Sequence, residues 1–180
     1  MEMKDEKILG EERRLFILNS LLKADSPITG GELASRANVS RQVIVQDISL
    51  LKAKNEPIIA TSQGYLYLKT DAVKEQFFEK IIACNHPPEK TKEELYTIVD
   101  HGVKVKNVII EHSVYGDLTA SIMVSNRREV DEFLKKIKTA NAGYLSRLTD
   151  GLHLHTLVAD DLEKIQNACK ELEEKGFIIT

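Results

Sequence analysis

The apolar residues of the N-terminal third recur with the spacing of amphipathic helices. Residues 11–24 therefore predict a first, core-facing helix. Pro27 ends it, and Thr29 forms a capping box with Glu32 at the start of a short second helix. Ser40 begins a third helix. The predicted inward stripes are Leu15, Leu18, Leu21 and Leu22, thickened by Phe16 and Ile17, in the first helix, and Val43, Ile44, Ile48 and Leu51 in the third.

A different pattern follows the third helix. Two short apolar runs within residues 58–68 flank Ser62-Gln63-Gly64, which is typical of a β-hairpin. Three helices followed by a hairpin is the element order of a winged helix-turn-helix. We therefore predict a DNA-binding domain over residues 1–69.

After residue 69 the pattern changes to strands that alternate with helices. Residues 71–78 fit a helix or a strand equally well. The order βαββαβα, with a last short strand, predicts an α+β domain over residues 70–180: an α/β sandwich with helices on a mostly antiparallel sheet. The predicted elements are a strand that ends near His86, a helix 88–101, strands 104–112 and 118–124, a helix capped by Ser125 that runs to 139, a strand 152–159, a helix 160–175 ended by Gly176, and a strand 177–179.

Composition is that of an ordinary globular protein. Of the 180 residues, 42% are hydrophobic and 29% are charged, and no apolar run is long enough to cross a membrane. Cys84 and Cys169 lie far apart without a CxxC motif, and the charged N-terminal stretch is unlike a secretory signal. We therefore expect a reduced, cytoplasmic protein with no membrane partner.

The net charge of −3 confers no general affinity for nucleic acid. The first 69 residues are less acidic than the remainder, but they are not basic. DNA binding would therefore depend on local placement of charge and on dimerisation.

The third helix opens with polar side chains, as a recognition helix does at the end that enters the major groove. Arg41 can pair with guanine and Gln42 with adenine, and the helix N-terminus can bind a phosphate. The alternative is a three-helix bundle in which these residues are only solvated. An exposed Val45 and the following hairpin favour DNA binding. The predicted DNA-contacting residues are Ser40, Arg41, Gln42, Val45 and Gln46 in the helix, and Ser62, Gln63 and Tyr65 in the hairpin.

Two stretches of the chain resemble known domains. Residues 9–68 resemble the biotin-repressor type of helix-turn-helix, with VSRQVIVQDISLLK matching its recognition helix. Residues 70–180 resemble the 3H domain, named for its histidines, through HPPEKTKEELYTIVDHG, VIIEHSVYGD and GLHLHT. Together they are similar to niacin-responsive transcriptional repressors of NAD biosynthesis. This resemblance implies a homodimer that binds double-stranded DNA at a palindromic operator, with nicotinic acid as corepressor.

The stretch GLHLHTL places two of the five histidines two residues apart on a predicted strand. His153 and His155 therefore project to the same side, roughly 6–7 Å apart, where one metal ion could be chelated between them. His86 ends an earlier strand, and Glu94 lies one to two turns into the helix that follows.

The alternative is that the two histidines lie on a polar outer face, with Leu152, Leu154 and Leu157 facing inward. Three histidines and one carboxylate suit zinc, nickel or iron(II) and do not discriminate among these metals. The resemblance implies one divalent transition metal per chain, held by His86, Glu94, His153 and His155.

His112 ends a predicted strand next to the turn at Tyr115. The resemblance implies that these two residues line the effector pocket, whereas a surface histidine at a strand end is the alternative. A Lewis-acidic ion with an open coordination position can hold the carboxylate of nicotinate. His101 ends a helix, where a histidine interacts favourably with the helix dipole, and we interpret it as structural.

The leading hypothesis is a DNA-binding repressor that is not an enzyme. A metal-dependent enzyme acting on a nicotinate-like molecule is the alternative, with Glu111 as its only nearby candidate base, but no HExxH motif or nucleophile elbow occurs. A third interpretation is a phosphocarrier-like domain, which needs one exposed histidine at a helix N-terminus. His86 lies near such an end, but the pair formed by His153 and His155 favours metal coordination.

Overall fold

The computed structural model describes residues 9–68 and 77–179. The chain divides into two compact units near residue 72. The predicted domain boundary after residue 69, the helix-or-strand choice for residues 71–76 and the charged N-terminal stretch of residues 1–8 lie outside the described residues.

The N-terminal unit is a winged helix-turn-helix. Its predicted caps are confirmed: Thr29 Oγ1 accepts a hydrogen bond from the Glu32 N–H at 3.1 Å, and Ser40 Oγ accepts one from the Val43 N–H at 3.4 Å. The elements are the helices α1 (Gly10–Lys23), α2 (Gly30–Arg36) and α3 (Arg41–Ala53), and the hairpin strands β1 (Ile58–Thr61) and β2 (Gly64–Tyr67).

The hairpin is tied to the segment that precedes α2. Ile28 and Tyr65 exchange two backbone hydrogen bonds, at 2.9 and 2.8 Å. Gly64 has a φ of +143°, and a Cβ at this position would collide with the carbonyl oxygen of Ile28. Only glycine therefore allows the wing to approach this segment so closely.

The buried face of α1 differs from the predicted stripe. Ile17 and Leu21 are buried, whereas Leu15 and Leu22 are 61% and 42% exposed. The stripe is rotated because Arg13 is also buried, next to a buried aspartate of α3. For α3 the predicted inward residues Ile44, Ile48 and Leu51 are buried, and Val43 is half-buried.

The C-terminal unit has the predicted α+β architecture, with three helices on an antiparallel sheet, but the sheet has four described strands instead of the predicted five. The strand order is β3-β6-β4-β5, and every described pair is antiparallel. One face of the sheet shares its apolar core with all three helices. The elements are β3 (Phe78–Asn85), a 3₁₀ turn (Pro88–Lys90), α4 (Thr91–Asp100), β4 (Lys104–His112), β5 (Gly116–Val124), α5 (Arg127–Thr139), a 3₁₀ turn (Leu145–Thr149), β6 (Leu152–Ala159) and α6 (Leu162–Glu174).

Two predicted boundaries in this unit are wrong. Asn126, not Ser125, caps α5: its side chain accepts a hydrogen bond from the Glu129 N–H at 3.0 Å, while the Ser125 N–H donates to the Glu129 carboxylate. Residues 177–179 form only an isolated bridge between Ile178 and Cys84 instead of a strand.

None of the described helices has the length and apolar character needed to cross a membrane. Cys84 and Cys169 are both buried as free cysteines.

Candidate functional site

Strand β6 turns both histidines of GLHLHTL toward the helices. His153 and His155 are 3% and 2% exposed, whereas Leu152 is 47% exposed on the opposite side of the strand. The interpretation that the histidines lie on a polar outer face is therefore wrong. Two imidazoles on the buried face of a sheet need polar partners there.

The antiparallel pairing of β3 with β6 brings His86 to these two rings. Cys84 pairs with His153 in the register, so His86 follows directly at the end of β3. Gly151 has a φ of +98°, and a Cβ there would lie 2.6 Å from the carbonyl oxygen of His86. This close approach leaves the His86 and His153 rings 4.9 Å apart and the His153 and His155 rings 4.8 Å apart, centroid to centroid.

Helix α4 supplies a fully buried carboxylate to the same point. Glu94 Oε2 lies 2.8 Å from His86 Nε2 and 3.4 Å from His155 Nε2, and Oε1 lies 3.2 Å from His153 Nε2. The structure thus brings all four predicted ligands together, although Glu94 and His153 are 59 residues apart in sequence. We call these four side chains the His₃Glu cluster.

The other nitrogen of each ring is held by a backbone carbonyl. His86 Nδ1 lies 3.0 Å from the Pro87 oxygen, His153 Nδ1 lies 2.8 Å from the Gly151 oxygen, and His155 Nδ1 lies 2.7 Å from the Asn107 oxygen. A carbonyl oxygen only accepts, so each Nδ1 carries the proton. In the neutral rings, every Nε2 therefore points a lone pair at Glu94.

This arrangement is unsatisfied without a cation. Three nitrogen lone pairs face a carboxylate that has only lone pairs of its own. Although His86 Nε2 and Glu94 Oε2 are close, their orientation makes no hydrogen bond, and both atoms lack a hydrogen-bond partner among the described residues. Histidines that donate Nδ1–H to carbonyls and present Nε2 inward are typical of metal ligands. The donor set therefore fits a divalent transition metal.

Without a metal, the cluster must hold protons. Burial opposes charge on Glu94, but the imidazoles, led by the charge of His155, hold the pKa of this carboxyl well below its usual value. Burial likewise opposes protonation of His86 and His155, but the neighbouring carboxylate of Glu94 raises the pKa of both rings. A metal ion would compete with these protons for the nitrogen lone pairs.

Cys84 is a member of this neighbourhood that the sequence interpretation set aside. Donor atoms of Cys84, Glu94 and His153 all lie within 4.8 Å of one another. Burial, followed by the charge of Glu94, raises the pKa of the Cys84 thiol, so it stays protonated in this setting. The sequence did carry a signal for this position of Cys84. Cys84 and His86 are two residues apart at the end of a predicted strand, and such residues share a face.

His112 and Tyr115 have different surroundings. The His112 ring lies 5.0 Å from the Tyr115 ring, and its Nδ1 accepts hydrogen bonds from the backbone N–H groups of Val114 and Tyr115. Tyr115 is 74% exposed. Among the described residues, His112 has no contact with the His₃Glu cluster, so its effector role stays a prediction. Glu111, the candidate base of the enzyme hypothesis, is exposed.

A groove of about 580 Å³ lies beside the cluster. Its wall includes Pro87 and Gly151, whose carbonyl groups hold His86 and His153. Arg147 is the one cationic residue in the lining, and its guanidinium makes no hydrogen bond or ion pair within the described part of the chain. The rest of the lining is Pro88, Glu89, Ala142, Gly143, Tyr144 and Asp150.

The predicted DNA-contacting residues lie on α3 and the wing. Ser40, Arg41, Gln42 and Gln46 are exposed, but Val45 is half-buried rather than exposed. The Arg41 side chain lies over Gly30 at the start of α2. A Cβ added at Gly30 would lie 3.5 Å from Arg41 Nε.

The wing residues are partly structural. The ring of Tyr65 packs against the core of the N-terminal unit, so less of it is available for DNA than predicted. Ser62 and Gln63 form the hairpin turn, where the Gln63 N–H donates to Thr61 Oγ1 at 3.1 Å. A tight turn of this kind presents backbone and short polar groups to a phosphate.

Comparison with known proteins gives two domain matches and close relatives. An HTH domain matches residues 13–66, and a 3H domain matches residues 79–180. Over 173 residues the chain is 62% identical to transcription repressor NadR of Bacillus subtilis (strain 168), covering 96% of both chains. It is 38% identical over 173 residues to the probable transcription repressor NiaR of Thermotoga maritima, covering 96% of this chain and 97% of that protein.

Proposed function

Because the chain belongs to the family of the NadR and NiaR transcription repressors, we propose that it represses genes of NAD biosynthesis and niacin uptake when its 3H domain binds nicotinic acid. It is a DNA-binding repressor of NAD metabolism and not an enzyme. The repressor assignment rests on 62% identity across 96% of both chains. The sensing proposal rests on the convergence of three Nε2 lone pairs on Glu94.

Recognition of the operator sequence is assigned to the exposed N-terminal end of α3. The helix begins at Arg41, and because the Ser40 cap bonds the Val43 N–H, the N–H groups of Arg41 and Gln42 remain to meet a phosphate. Arg41 and Gln42 follow at the end that enters the major groove in helix-turn-helix proteins. Because Arg41 already lies against Gly30, part of the conformational entropy of its side chain is lost before DNA arrives.

Replacing Arg41 with alanine is expected to weaken operator binding by about 1–3 kcal/mol and to relax specificity at one base pair. The reason is that a guanidinium pairs with two acceptors of guanine at once. The measurement is equilibrium binding to duplexes that the wild-type protein selects from a random pool, repeated with each single-base change.

The matched variant is Arg41→Lys, which keeps the charge but loses the bidentate geometry. It should lose specificity as Arg41→Ala does, while its salt dependence of binding stays like that of the wild type. An equal loss on every duplex would instead identify a phosphate contact and contradict base reading by Arg41.

Metal binding is assigned to the His₃Glu cluster. His86, His153 and His155 would bind through Nε2, since their Nδ1 atoms donate to carbonyl groups. Glu94 would add the one negative charge, and burial keeps water from competing for it. When bound, the ion supplies a Lewis acid that attracts the carboxylate of nicotinate. The donor set leaves zinc, nickel and iron(II) as candidates.

Nicotinate binding is assigned to the same end of the C-terminal unit. The groove beside the cluster has the volume of a small-molecule site, and Arg147 offers a further cationic partner for a carboxylate. His112 is the last residue of β4, and Tyr115 lies in the turn between β4 and β5. Both remain proposed members of the pocket.

Nicotinate is expected to bind the zinc-loaded protein more than about tenfold more tightly than the metal-stripped protein, a difference of ~1.4 kcal/mol. The ion would offer a coordination position to the carboxylate of nicotinate, which the protons held by the metal-free His₃Glu cluster do not. Titration calorimetry of both forms checks this expectation, with metal content determined before each run.

Nicotinamide is the matched ligand, because it keeps the ring and lacks the negative charge. It should bind weakly to both forms and gain little from zinc. Equal nicotinate affinity with and without metal would remove the ion from effector recognition, and the repressor assignment would remain.

The protein is proposed to act as a homodimer in the cytoplasm. Two recognition helices related by a two-fold axis match the half-sites of a palindromic operator. Dimerisation also doubles the number of phosphate contacts, which matters because the N-terminal unit is nearly neutral. A corepressor must then bind more tightly to the arrangement that fits DNA, since a ligand shifts only the states it distinguishes.

A further inference from the structure

Strand β4 carries an irregularity next to the His₃Glu cluster. Val105 pairs with Leu157 on β6 and Asn107 pairs with Thr156, so Lys106 is an extra residue on β4. The register against β5 shifts at the same place. Such a β-bulge re-aims backbone and side-chain groups and frequently lies beside functional sites.

At this bulge Asn107 makes two hydrogen bonds with consecutive residues of β6. Its backbone carbonyl accepts from His155 Nδ1–H at 2.7 Å, and its side-chain oxygen Oδ1 accepts from the Thr156 N–H at 3.1 Å. In an ordinary antiparallel pair, the Thr156 N–H would be satisfied by the carbonyl of Asn107. Here the side-chain oxygen of Asn107 accepts from the Thr156 N–H, while its carbonyl oxygen accepts from the imidazole of His155.

We infer that Asn107 is a positioning residue that holds His155 in the orientation and protonation state of a metal ligand. This inference rests on the proposed metal site. The side-chain oxygen of Asn107 satisfies the ladder, the bulge carbonyl then stays turned toward His155, and Nε2 of that ring faces Glu94. The group that accepts the outer N–H of a histidine ligand tunes the metal affinity of that histidine.

The chemistry requires an acceptor at this position. Thr156 is 6% exposed, so its N–H has no water to bond with if the side-chain oxygen is removed. With alanine at position 107, the carbonyl either returns to the ladder and releases His155, or stays and leaves a buried N–H unpaired. Aspartate keeps the acceptor and can restore the arrangement.

The test uses the full chain and zinc alone. Competition with a chromophoric chelator should show zinc affinity about 10–100-fold weaker in Asn107→Ala than in the wild type. The zinc affinity of Asn107→Asp should stay within about threefold of the wild-type affinity, because aspartate keeps the acceptor. Asn167→Ala, an exposed asparagine of α6, is the matched control and should leave the affinity unchanged.

A second readout separates positioning from general stability. In ¹⁵N–¹H spectra of the zinc-loaded protein, the Nδ1–H of His155 should be visible and slow to exchange in the wild type and in Asn107→Asp. It should be lost in Asn107→Ala, while the Nδ1–H of His153, held by the Gly151 carbonyl, persists. A merely destabilised fold would weaken both signals together.

The outcomes are distinct. Equal zinc affinity in Asn107→Ala and the wild type would overturn the positioning role and leave the metal proposal standing. Equal losses in the alanine and aspartate variants would also overturn it, because the acceptor would then be irrelevant. A wild-type chain that binds no zinc would overturn the metal proposal itself, and this inference with it.

Discussion

Glu94→Gln is expected to lower zinc affinity by more than about 100-fold, beyond the range seen when an outer partner of a ligand is lost. The carboxylate is fully buried and is the only anion that faces the three Nε2 atoms among the described residues. Glutamine keeps the shape but removes the negative charge. Its amide also offers N–H donors to the nitrogen lone pairs, which satisfies the cluster without any metal.

The same substitution should leave the metal-free protein folded and no less stable. Zinc raises the melting temperature of a protein that binds it only when folded, by an amount that grows with the ratio of ion to Kd. The wild type should therefore show a large zinc-dependent rise and Glu94→Gln should show almost none. Differential scanning calorimetry with and without zinc measures both quantities.

Glu93→Gln is the matched control for this experiment. Glu93 precedes Glu94 on α4, but it is exposed and its partner is Lys90, at 2.8 Å. Its loss should change neither zinc affinity nor the zinc-dependent rise. If Glu94→Gln also retains wild-type affinity, Glu94 is not a ligand and the proposed donor set fails.

Asp47→Ala is expected to destabilise the N-terminal unit by about 3–5 kcal/mol. Asp47 is buried on α3 and lies 2.5 Å from Arg13 Nε and 3.4 Å from Arg14 Nη1, both on α1. Removing it takes the Asp47 carboxylate away from the buried Arg13 charge. Since α3 also carries Arg41 and Gln42, operator affinity should fall with the population of folded unit.

Hydrogen exchange of the full chain measures this effect where it occurs. The amides of Ile44, Ile48 and Leu51 should lose protection in Asp47→Ala, while those of the C-terminal sheet keep theirs. Glu32→Ala is the control, because its pair with Arg36 is about half exposed and such pairs contribute about 1 kcal/mol or less.

A double replacement identifies the cause. Arg13→Met with Asp47→Leu removes both charges and fills the space with apolar groups, which is often neutral or stabilising for a buried pair. Recovery of protection in the double variant would show that the loss of the Asp47 charge beside Arg13 is what destabilises Asp47→Ala. Equal loss in both variants would show that the ion pair itself stabilises α1 against α3.

Local features of the fold were predictable because their causes are local. The caps at Thr29 and Ser40 each depend on a side chain and an N–H three residues later. The hairpin depends on a glycine next to two apolar runs. The cap at Ser125 was wrong because Asn126, one residue later, is an equally good cap, and composition does not rank the two.

Burial was predicted less well, since it depends on partners that are distant in sequence. No local pattern marks Arg13 and Asp47 as buried, and their mutual contact explains why both are buried and why Leu15 is not. In β6 the three leucines of GLHLHTL look like the buried face, but of these three only Leu157 is buried. His153 and His155 occupy the buried face instead, because the carbonyl groups of Gly151 and Asn107 accept from their Nδ1 atoms and Glu94 faces their Nε2 atoms.

The amino-acid sequence by itself determined the order of the main elements, the recognition helix α3 and the four candidate metal ligands. Each of these follows from neighbours within a few residues or from family resemblance. Only the tertiary structure decided that the four donors meet at one point and that the Nδ1 atom of each of the three histidines in the cluster bonds a backbone carbonyl. It also placed Cys84 and Asn107 next to this cluster. Strand register and a β-bulge set these contacts, and both arise from pairing between segments far apart in the chain.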